Sequence, residues 1–261
     1  MKLGSRTKYT YSLTKVRLYK MSGMSEPTQK LCRWLHEQLE RLSLTKYPFS
    51  PSQLPRNGIY FFYERGETWG HDGNKPRIIR IGTHKSNNFR SRIKEHFLLD
   101  NKGMNFDPMK PAPKDRSVFR KNIGRALLRK RNSNYLRMWN IDFTPRRNRE
   151  RYGHLRDIEH EKEIERDITR ILRNRFTFRF IIVENETRRI GSRGLESRLI
   201  GTVSRCPLCK PTNNWLGDFS PKVKIRKSGL WQIQHLNSRA ITEDEKGIIK
   251  DAIAKTRERT S

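Results

Sequence analysis

Two short runs of β-branched and aromatic residues, joined by a segment rich in turn formers, constrain the fold of this chain more than any other feature. The first run is GIYFFY at residues 58–63, and the second is RIIRI at residues 77–81. Runs of this composition favour β-strands. The intervening residues 65–76 include three glycines, an asparagine and a proline, which are typical of tight turns. The sequence therefore predicts a β-hairpin with a long tip.

Apolar residues recur at helical spacing on both sides of this hairpin. Upstream, the pattern runs from Leu31 to Leu42 after a Ser-Glu-Pro helix start. Downstream, it runs through residues 89–98 with a period near 3.6, so one stripe of this helix is apolar. Within the second helix, Arg92 and His96 are four residues apart, and they therefore share a face.

The expected fold is mixed α/β (α+β), with a small central antiparallel sheet of about three strands flanked by helices. The strands are expected at residues 58–63, 77–82 and 177–183, and the flanking helices include residues 89–98 and 194–203.

Four parts follow one another along the chain. Because the first 23 residues carry no acidic group and show no periodicity, we expect a flexible basic arm there. The expected parts are this arm at residues 1–24, an N-terminal helix at 25–50, a main domain at 51–235 with a basic helical insertion at 100–175, and a C-terminal helical tail at 236–261.

The charge of the chain points to a polyanionic partner. Lysine and arginine number 57 against 27 aspartates and glutamates, which gives a net charge of +30. Residues 110–151 alone hold 14 basic and 3 acidic residues, and we expect them to form the main phosphate-contacting surface. The 5 Trp, 12 Phe and 8 Tyr residues supply the bulk of a packed core, so we expect a folded protein.

The apolar runs are far shorter than the ~20 residues that a membrane span needs. The first residues also lack the apolar stretch of a signal peptide. We therefore expect a cytoplasmic protein with no membrane partner.

The three cysteines, Cys32, Cys206 and Cys209, are too few for a disulfide framework. Residues 206–209 (CPLC) have the spacing of a zinc knuckle. A structural zinc site needs four ligands, however, and the sequence shows no second CxxC motif and no nearby pair of histidines. Buried or free thiols are the favoured interpretation.

The hairpin carries the motif of a known family. Residues 58–60 (GIY), the first signature, and residues 80–82 (RIG), the second, resemble the paired signatures of the GIY-YIG nucleases. Further residues stand in the family's order over about residues 55–218, namely Arg92 and His96 on one helix, Glu196 on a later helix and Asn214 in the run NNWLG.

This resemblance implies a site-specific endonuclease of restriction or genome-defence type, which hydrolyses phosphodiester bonds in double-stranded DNA. It implies Mg²⁺ or Mn²⁺ held by the carboxylate of Glu196, with waters and phosphate oxygens as the other ligands. Tyr60 would act as general base, and Arg92 would clamp the scissile phosphate. His96 would relay or position a proton, and Asn214 would orient the metal ligand or the substrate through its amide.

The chain departs from the family at Arg80, which occupies the position of the second tyrosine. Arg80 would supply positive charge to the phosphate or the transition state instead. Tyr63 could fill part of the space, although strand alternation points it away from the face of Tyr60. On the helix, Arg90 is the main alternative to Arg92.

Other interpretations of the same residues stay open. The departure at Arg80 also fits a non-catalytic nucleic-acid-binding protein on the same scaffold. A structural RNA-binding protein with coincidental motifs would place Glu196 far from Tyr60 and Arg92. For Glu196 itself, an ordinary helix ion pair with Arg193 or Arg198 is the structural alternative. For a nuclease with one active site per chain, cutting both strands favours a homodimer on a two-fold-symmetric target.

Overall fold

The computed structural model describes residues 27–99 and 106–260. The basic arm predicted over residues 1–24 lies outside these ranges, as does the start of the predicted insertion at residues 100–105. The strands are β1 (Thr45–Lys46), β2 (Ile59–Thr68), β3 (Pro76–Gly82) and β4 (Phe176–Ile181). The α-helices are α1 (27–39), α2 (Phe89–Phe97), α3 (Pro113–Arg116), α4 (Val118–Lys130), α5 (Leu136–Asn140), α6 (Arg146–Tyr152), α7 (Ile158–Arg175), α8 (Glu186–Arg189), α9 (Leu195–Ser204), α10 (Val223–Ser228) and α11 (Glu243–Thr260).

The four described strands form one antiparallel sheet in the order β1-β4-β2-β3. The predicted mixed α/β fold with a small antiparallel sheet is confirmed, and the sheet has one strand more than expected. The additional strand, β1, is only two residues long, which is too short for an alternating pattern to reveal it. β2 lies inside the sheet, and helices cover both faces. The first half of β2 is therefore almost continuously apolar.

The side chains of β2 alternate between two cores on opposite faces of the sheet. Tyr60 and Phe62 point into the core that α2, α4 and α7 close. Phe61 and Tyr63 point into the core that α1, α9 and α11 close. Tyr63 therefore faces away from Tyr60, as strand alternation predicts.

The hairpin of β2 and β3 is longer and less regular than predicted. β2 continues to Thr68, so the tip is confined to residues 69–75. Gly66 has a left-handed φ of 91° inside a stretch where the pairing register shifts. A bulge of this kind needs glycine, which is why the composition predicts a turn where the strand continues.

A second irregularity sets the direction of the residues in β3. Phe62 pairs with Arg80 while Tyr63 pairs with Ile78, which leaves Ile79 as an extra residue in the ladder. Arg80 thereby lies on the same face of the sheet as Phe62. The second signature thus pairs with residues 60–62 of β2, and Gly82 lies opposite Tyr60.

Part of the basic insertion is internal. Arg120 on α4 is fully buried and donates hydrogen bonds of 2.6 and 2.9 Å to the carboxylate of Glu165 on α7. Lys114 is buried as well, 3.1 Å from Asp115. The expectation that residues 110–151 form a phosphate-contacting surface therefore does not hold for Arg120 and Lys114, because their charges are used in packing helices together.

The C-terminal helix α11 packs on the sheet. Ile249 and Ile253 are buried in the same core as Tyr63, and the Thr256 hydroxyl accepts a hydrogen bond of 2.9 Å from the backbone of Ile182. Within residues 27–99 and 106–260, no helix is long and apolar enough to cross a membrane.

Candidate active site

Tyr60 and His96 meet on the face of the sheet that α2 covers. The Tyr60 hydroxyl lies 3.1 Å from Nε2 of His96, and Nδ1 of the same ring lies 2.8 Å from the Ser117 hydroxyl. Burial, followed by the charges of three nearby arginines, lowers the pKa of His96 well below its ordinary value. The ring is therefore neutral at pH 7, with one donor and one acceptor nitrogen.

Gly82 and Thr83 connect Tyr60 to Glu196. Gly82 pairs with Tyr60 across the hairpin, and a Cβ atom at this position would overlap the Tyr60 hydroxyl. Thr83 donates its backbone N–H to Oε1 of Glu196 at 3.1 Å and its hydroxyl to the Gly58 carbonyl at 2.7 Å. The end of β3 therefore holds a carboxylate of α9 beside the strand that carries Tyr60.

Glu196 lies in the first turn of α9 and is half-buried. It forms no ion pair with any described residue, since Arg193 is exposed and Arg198 lies 3.6 Å from Glu245 instead. Burial raises the pKa of Glu196, and the charge of Arg80 opposes that increase. Glu196 is thus a carboxylate near several cations, with one oxygen held by a backbone N–H and the other available for a ligand.

Arg80 is buried close enough for its charge to act on that carboxylate. Its Nη1 donates to the Trp231 carbonyl at 2.6 Å, and its guanidinium lies 4.8 Å from the centre of the Phe119 ring. Its Nε is buried and has no hydrogen-bond partner among the described residues. The guanidinium is therefore fixed at one end and keeps one unused donor.

The two arginines of α2 that compete for the role of phosphate clamp occupy different surroundings. Arg90 donates to backbone carbonyls of the loop before β2 at 2.7 and 3.0 Å, which ties α2 to that loop. Arg92 donates to Glu95 at 2.9 Å, and its charge acts on both His84 and His96. Arg92 is therefore the arginine of α2 that stands beside the Tyr60–His96 pair.

Two residues that the sequence analysis did not select lie in the same place. Burial lowers the pKa of His84 to about 4, and its Nε2 is buried without a partner among the described residues. Arg189 is completely buried, and its Nε and Nη2 likewise lack described partners. Its charge acts on both His84 and Glu196. The position of His84, two residues after the second signature, could have revealed it, whereas nothing in the sequence separates Arg189 from the many surface arginines.

No hydrogen bond between described residues joins Asn214 to this cluster. It is exposed and adopts a left-handed φ of 69°. Its neighbour Trp215 donates to Glu64 at 3.1 Å, and Thr212 donates to Glu67 at 2.5 Å. Asn214 therefore lies beside the second half of β2, whereas Tyr60 lies near its start.

A comparison with known protein families bears on this arrangement. The sequence profile of a family described as GIY-YIG domain matches residues 29–259. The chain belongs to the GIY-YIG domain family. No curated protein and no solved structure shows a significant match to it.

The family match includes every element that builds the cluster around Tyr60 and Glu196. It begins within α1 and ends within α11, so the flanking helices belong to the matched region as much as the hairpin does. Membership of the GIY-YIG family implies nuclease chemistry on DNA in general.

Proposed function

We propose that this chain is a divalent-metal-dependent endonuclease that cuts double-stranded DNA at specific sites, in a restriction or genome-defence role. The observation that carries the proposal is the carboxylate of Glu196. It has no ionic partner among the described residues, yet Arg80 and Arg189 lie near it with buried, unused nitrogen atoms. A site with one free carboxylate and several unused cationic donors is suited to a metal ion and a phosphate together.

The donor set fits Mg²⁺ or Mn²⁺. These ions prefer oxygen ligands and retain several waters, so one protein carboxylate is sufficient. Glu196 would hold the ion through the oxygen that Thr83 leaves free. When bound, the ion would supply Lewis-acid stabilisation of the charge that develops on the phosphate and on the leaving oxygen.

Tyr60 would serve as the general base for the attacking water. Its hydroxyl lies 3.1 Å from Nε2 of His96, and the charges of Arg92 and Arg80 act on that imidazole. His96 is neutral and completely buried. It is therefore a positioning residue that fixes the direction of the hydroxyl.

Arginine would stabilise the pentavalent phosphate. Arg92 has a half-buried guanidinium on the helix beside the Tyr60–His96 pair, and Arg80 keeps an unused Nε donor. Planar guanidinium groups match phosphate oxygens in geometry and remain charged in a poorly solvated site. At the second signature, Arg80 would thus provide a fixed positive charge where the family usually has the phenol of a tyrosine.

Binding to DNA would draw on the net charge of +30. Since the described residues of a chain form one such cluster, cutting both strands of a duplex favours a homodimer on a two-fold-symmetric target.

The decisive experiment compares the purified protein with its Glu196→Gln variant on supercoiled and linear duplex DNA, with Mg²⁺ or with EDTA. Glutamine keeps an oxygen for the backbone N–H of Thr83 but removes the charge that a metal requires. We expect discrete Mg²⁺-dependent fragments from the wild type and none from Glu196→Gln, at equal DNA affinity. Glu243→Gln, at an exposed position on α11, serves as the matched control. Equal cutting by wild type and Glu196→Gln would refute the site.

A second function is favoured by the arginine at the second signature. If Arg80 has replaced a phenol that the chemistry needs, the chain is a nucleic-acid-binding protein without turnover. That protein would bind duplex DNA with a steep salt dependence and give no product on any unmodified DNA, with Mg²⁺ or Mn²⁺. The Arg80→Tyr variant would then gain cleavage, whereas under the first proposal it would lose it.

A further inference from the structure

A second group of chemically active side chains lies at the tip of the hairpin, far along β2 from Tyr60. Cys32, His71, Cys206 and Cys209 each place one potential ligand atom within 4.8 Å of all the others. They come from three separate segments: α1, the hairpin tip and the loop after α9. We propose that these four residues form a structural zinc site with three thiolate ligands and one imidazole ligand.

The observed distances suit a tetrahedral ion. Zn–S bonds of about 2.3 Å place two thiolates on a tetrahedron about 3.8 Å apart. The sulfur atoms of Cys32 and Cys209 lie 3.6 Å apart. Nε2 of His71 lies 3.1 Å from the sulfur of Cys206, in a hydrogen bond that coordination of both atoms to zinc would replace.

The loop of residues 206–209 has the CxxC spacing of a zinc knuckle, and both of its cysteines belong to the cluster. Gly70 lies against the same loop, where a Cβ atom would collide with the Leu208 carbonyl. This close approach holds the hairpin tip, which carries His71, against the loop that carries Cys206 and Cys209.

A fifth nearby side chain, His36, is not needed as a ligand. Its Nδ1 bonds to the Cys32 carbonyl at 2.9 Å, and its Nε2 accepts from the backbone N–H of Ile78 at 3.4 Å. Its ring stacks on Trp69 at 4.9 Å, with the planes 12° apart. His36 therefore packs beside the cluster and supports Cys32, as neighbours of metal ligands commonly do.

Ordinary packing of buried thiols explains this cluster less well than zinc does. A thiol in an apolar core needs no polar neighbour, but here every cysteine of the chain converges with a histidine. A disulfide between Cys32 and Cys209 would leave Cys206 and His71 without a role. Four protein ligands also close the coordination shell, so the ion would be structural and not catalytic.

The site would fix the helix that carries Glu196. Glu196 lies in the first turn of α9, and Cys206 follows its last residue, Ser204, by two positions. Zinc would join this end of the helix to α1 through Cys32 and to the hairpin tip through His71. The three segments that surround one core would thereby be cross-linked.

The test is metal analysis of the full-length protein purified from zinc-supplemented cells without chelators. We expect about one zinc ion per chain by mass spectrometry, resistant to dialysis. Replacement by Co²⁺ should give the visible bands of a tetrahedral ion and a thiolate charge-transfer band. Stripping the metal with a chelator should lower the melting temperature by roughly 10 °C or more.

Three variants make the assignment specific. Cys206→Ser should lose the zinc and the Co²⁺ spectrum. His71→Cys keeps four suitable ligands, so it should retain the metal and give a stronger charge-transfer band. This variant therefore distinguishes the loss of a ligand from unfolding of the chain. His154→Ala, at an exposed position in another part of the chain, should behave as the wild type. A folded wild type without zinc and without a Co²⁺ spectrum, or one with a Cys32–Cys209 disulfide, would overturn the proposal.

Discussion

The hydroxyl of Tyr60 and Nε2 of His96 lie 3.1 Å apart, which joins β2 to α2 inside the core. The Tyr60 ring packs edge-on against the rings of Phe62 and Phe89, with centroid distances of 5.4 and 6.0 Å. The ring therefore packs in the core, and the hydroxyl forms the hydrogen bond with His96. These two contributions can be separated by substitution.

Tyr60→Phe should keep the fold and lose the chemistry. Removing a general base typically lowers the rate by about 10²–10⁴-fold, and we expect this loss in the rate of DNA cleavage at saturating protein. DNA affinity should change little, and the melting temperature should fall by only a few degrees, because the ring remains and one buried hydrogen bond to His96 is lost. The control is Tyr63→Phe, which removes a hydroxyl from the opposite face of the same strand and should leave cutting unchanged. Equal losses in the two variants would contradict a role for Tyr60 in catalysis.

The neutral ring of His96 should make the fold sensitive to acid. Folding lowers the pKa of His96 through burial, so the unfolded chain binds a proton more readily than the folded one. This contribution to stability is complete above the ordinary histidine value of about 6.5 and is lost as the pH falls towards the lowered value. Between about pH 7 and pH 5, the melting temperature of His96→Gln should therefore fall less than that of the wild type. The exposed His154→Gln should match the wild type, and parallel curves for all three proteins would contradict the assignment.

Arg80→Lys should lower cleavage without removing charge. Lysine lacks the planar guanidinium of arginine, which donates to the Trp231 carbonyl through Nη1 and keeps Nε as an unused donor. The loss of one well-placed donor to developing charge lowers kcat by about 10²–10³-fold, measured here as single-turnover cleavage. Arg65→Lys, at an exposed position on β2, is the matched control and should cut as the wild type does. Unchanged cleavage by Arg80→Lys would show that Arg80 packs over Phe119 and has no role in the chemistry.

Features that depend on near neighbours in the chain can be predicted from the sequence. The hairpin and α2 follow from composition and period, and the shared face of Arg92 and His96 follows from their spacing. The sequence order of the family also selects Glu196, which the backbone of Thr83 binds directly. The resemblance also points to Asn214, which no described hydrogen bond joins to the cluster.

Features that depend on distant segments cannot be predicted in this way. Cys32 and Cys209 are 177 residues apart, and only the folding of α1 against the loop after α9 brings their sulfur atoms together. In the sequence, Arg189 is one of many arginines. Only the fold buries it and leaves two of its nitrogens without described partners. The bulge at Ile79, which directs Arg80 into the site, is likewise set by pairing with β2. Periodicity within one segment carries no information about such contacts.

Removing one partner of the buried pair of Arg120 and Glu165 should strongly destabilise the fold, because the two charges join α4 to α7 away from solvent. Arg120→Met should lower the free energy of unfolding in urea by about 3–5 kcal/mol, since it leaves a buried carboxylate unpaired. The double variant with Glu165→Met should recover most of that loss, because two apolar side chains of similar size leave no charge behind. Arg146→Met breaks an exposed pair with Glu150 and should change the free energy by less than about 0.5 kcal/mol. If the double variant were less stable than Arg120→Met alone, Glu165 would stabilise the fold through contacts of its own, such as the hydrogen bond of 2.7 Å that it accepts from the backbone N–H of Lys114.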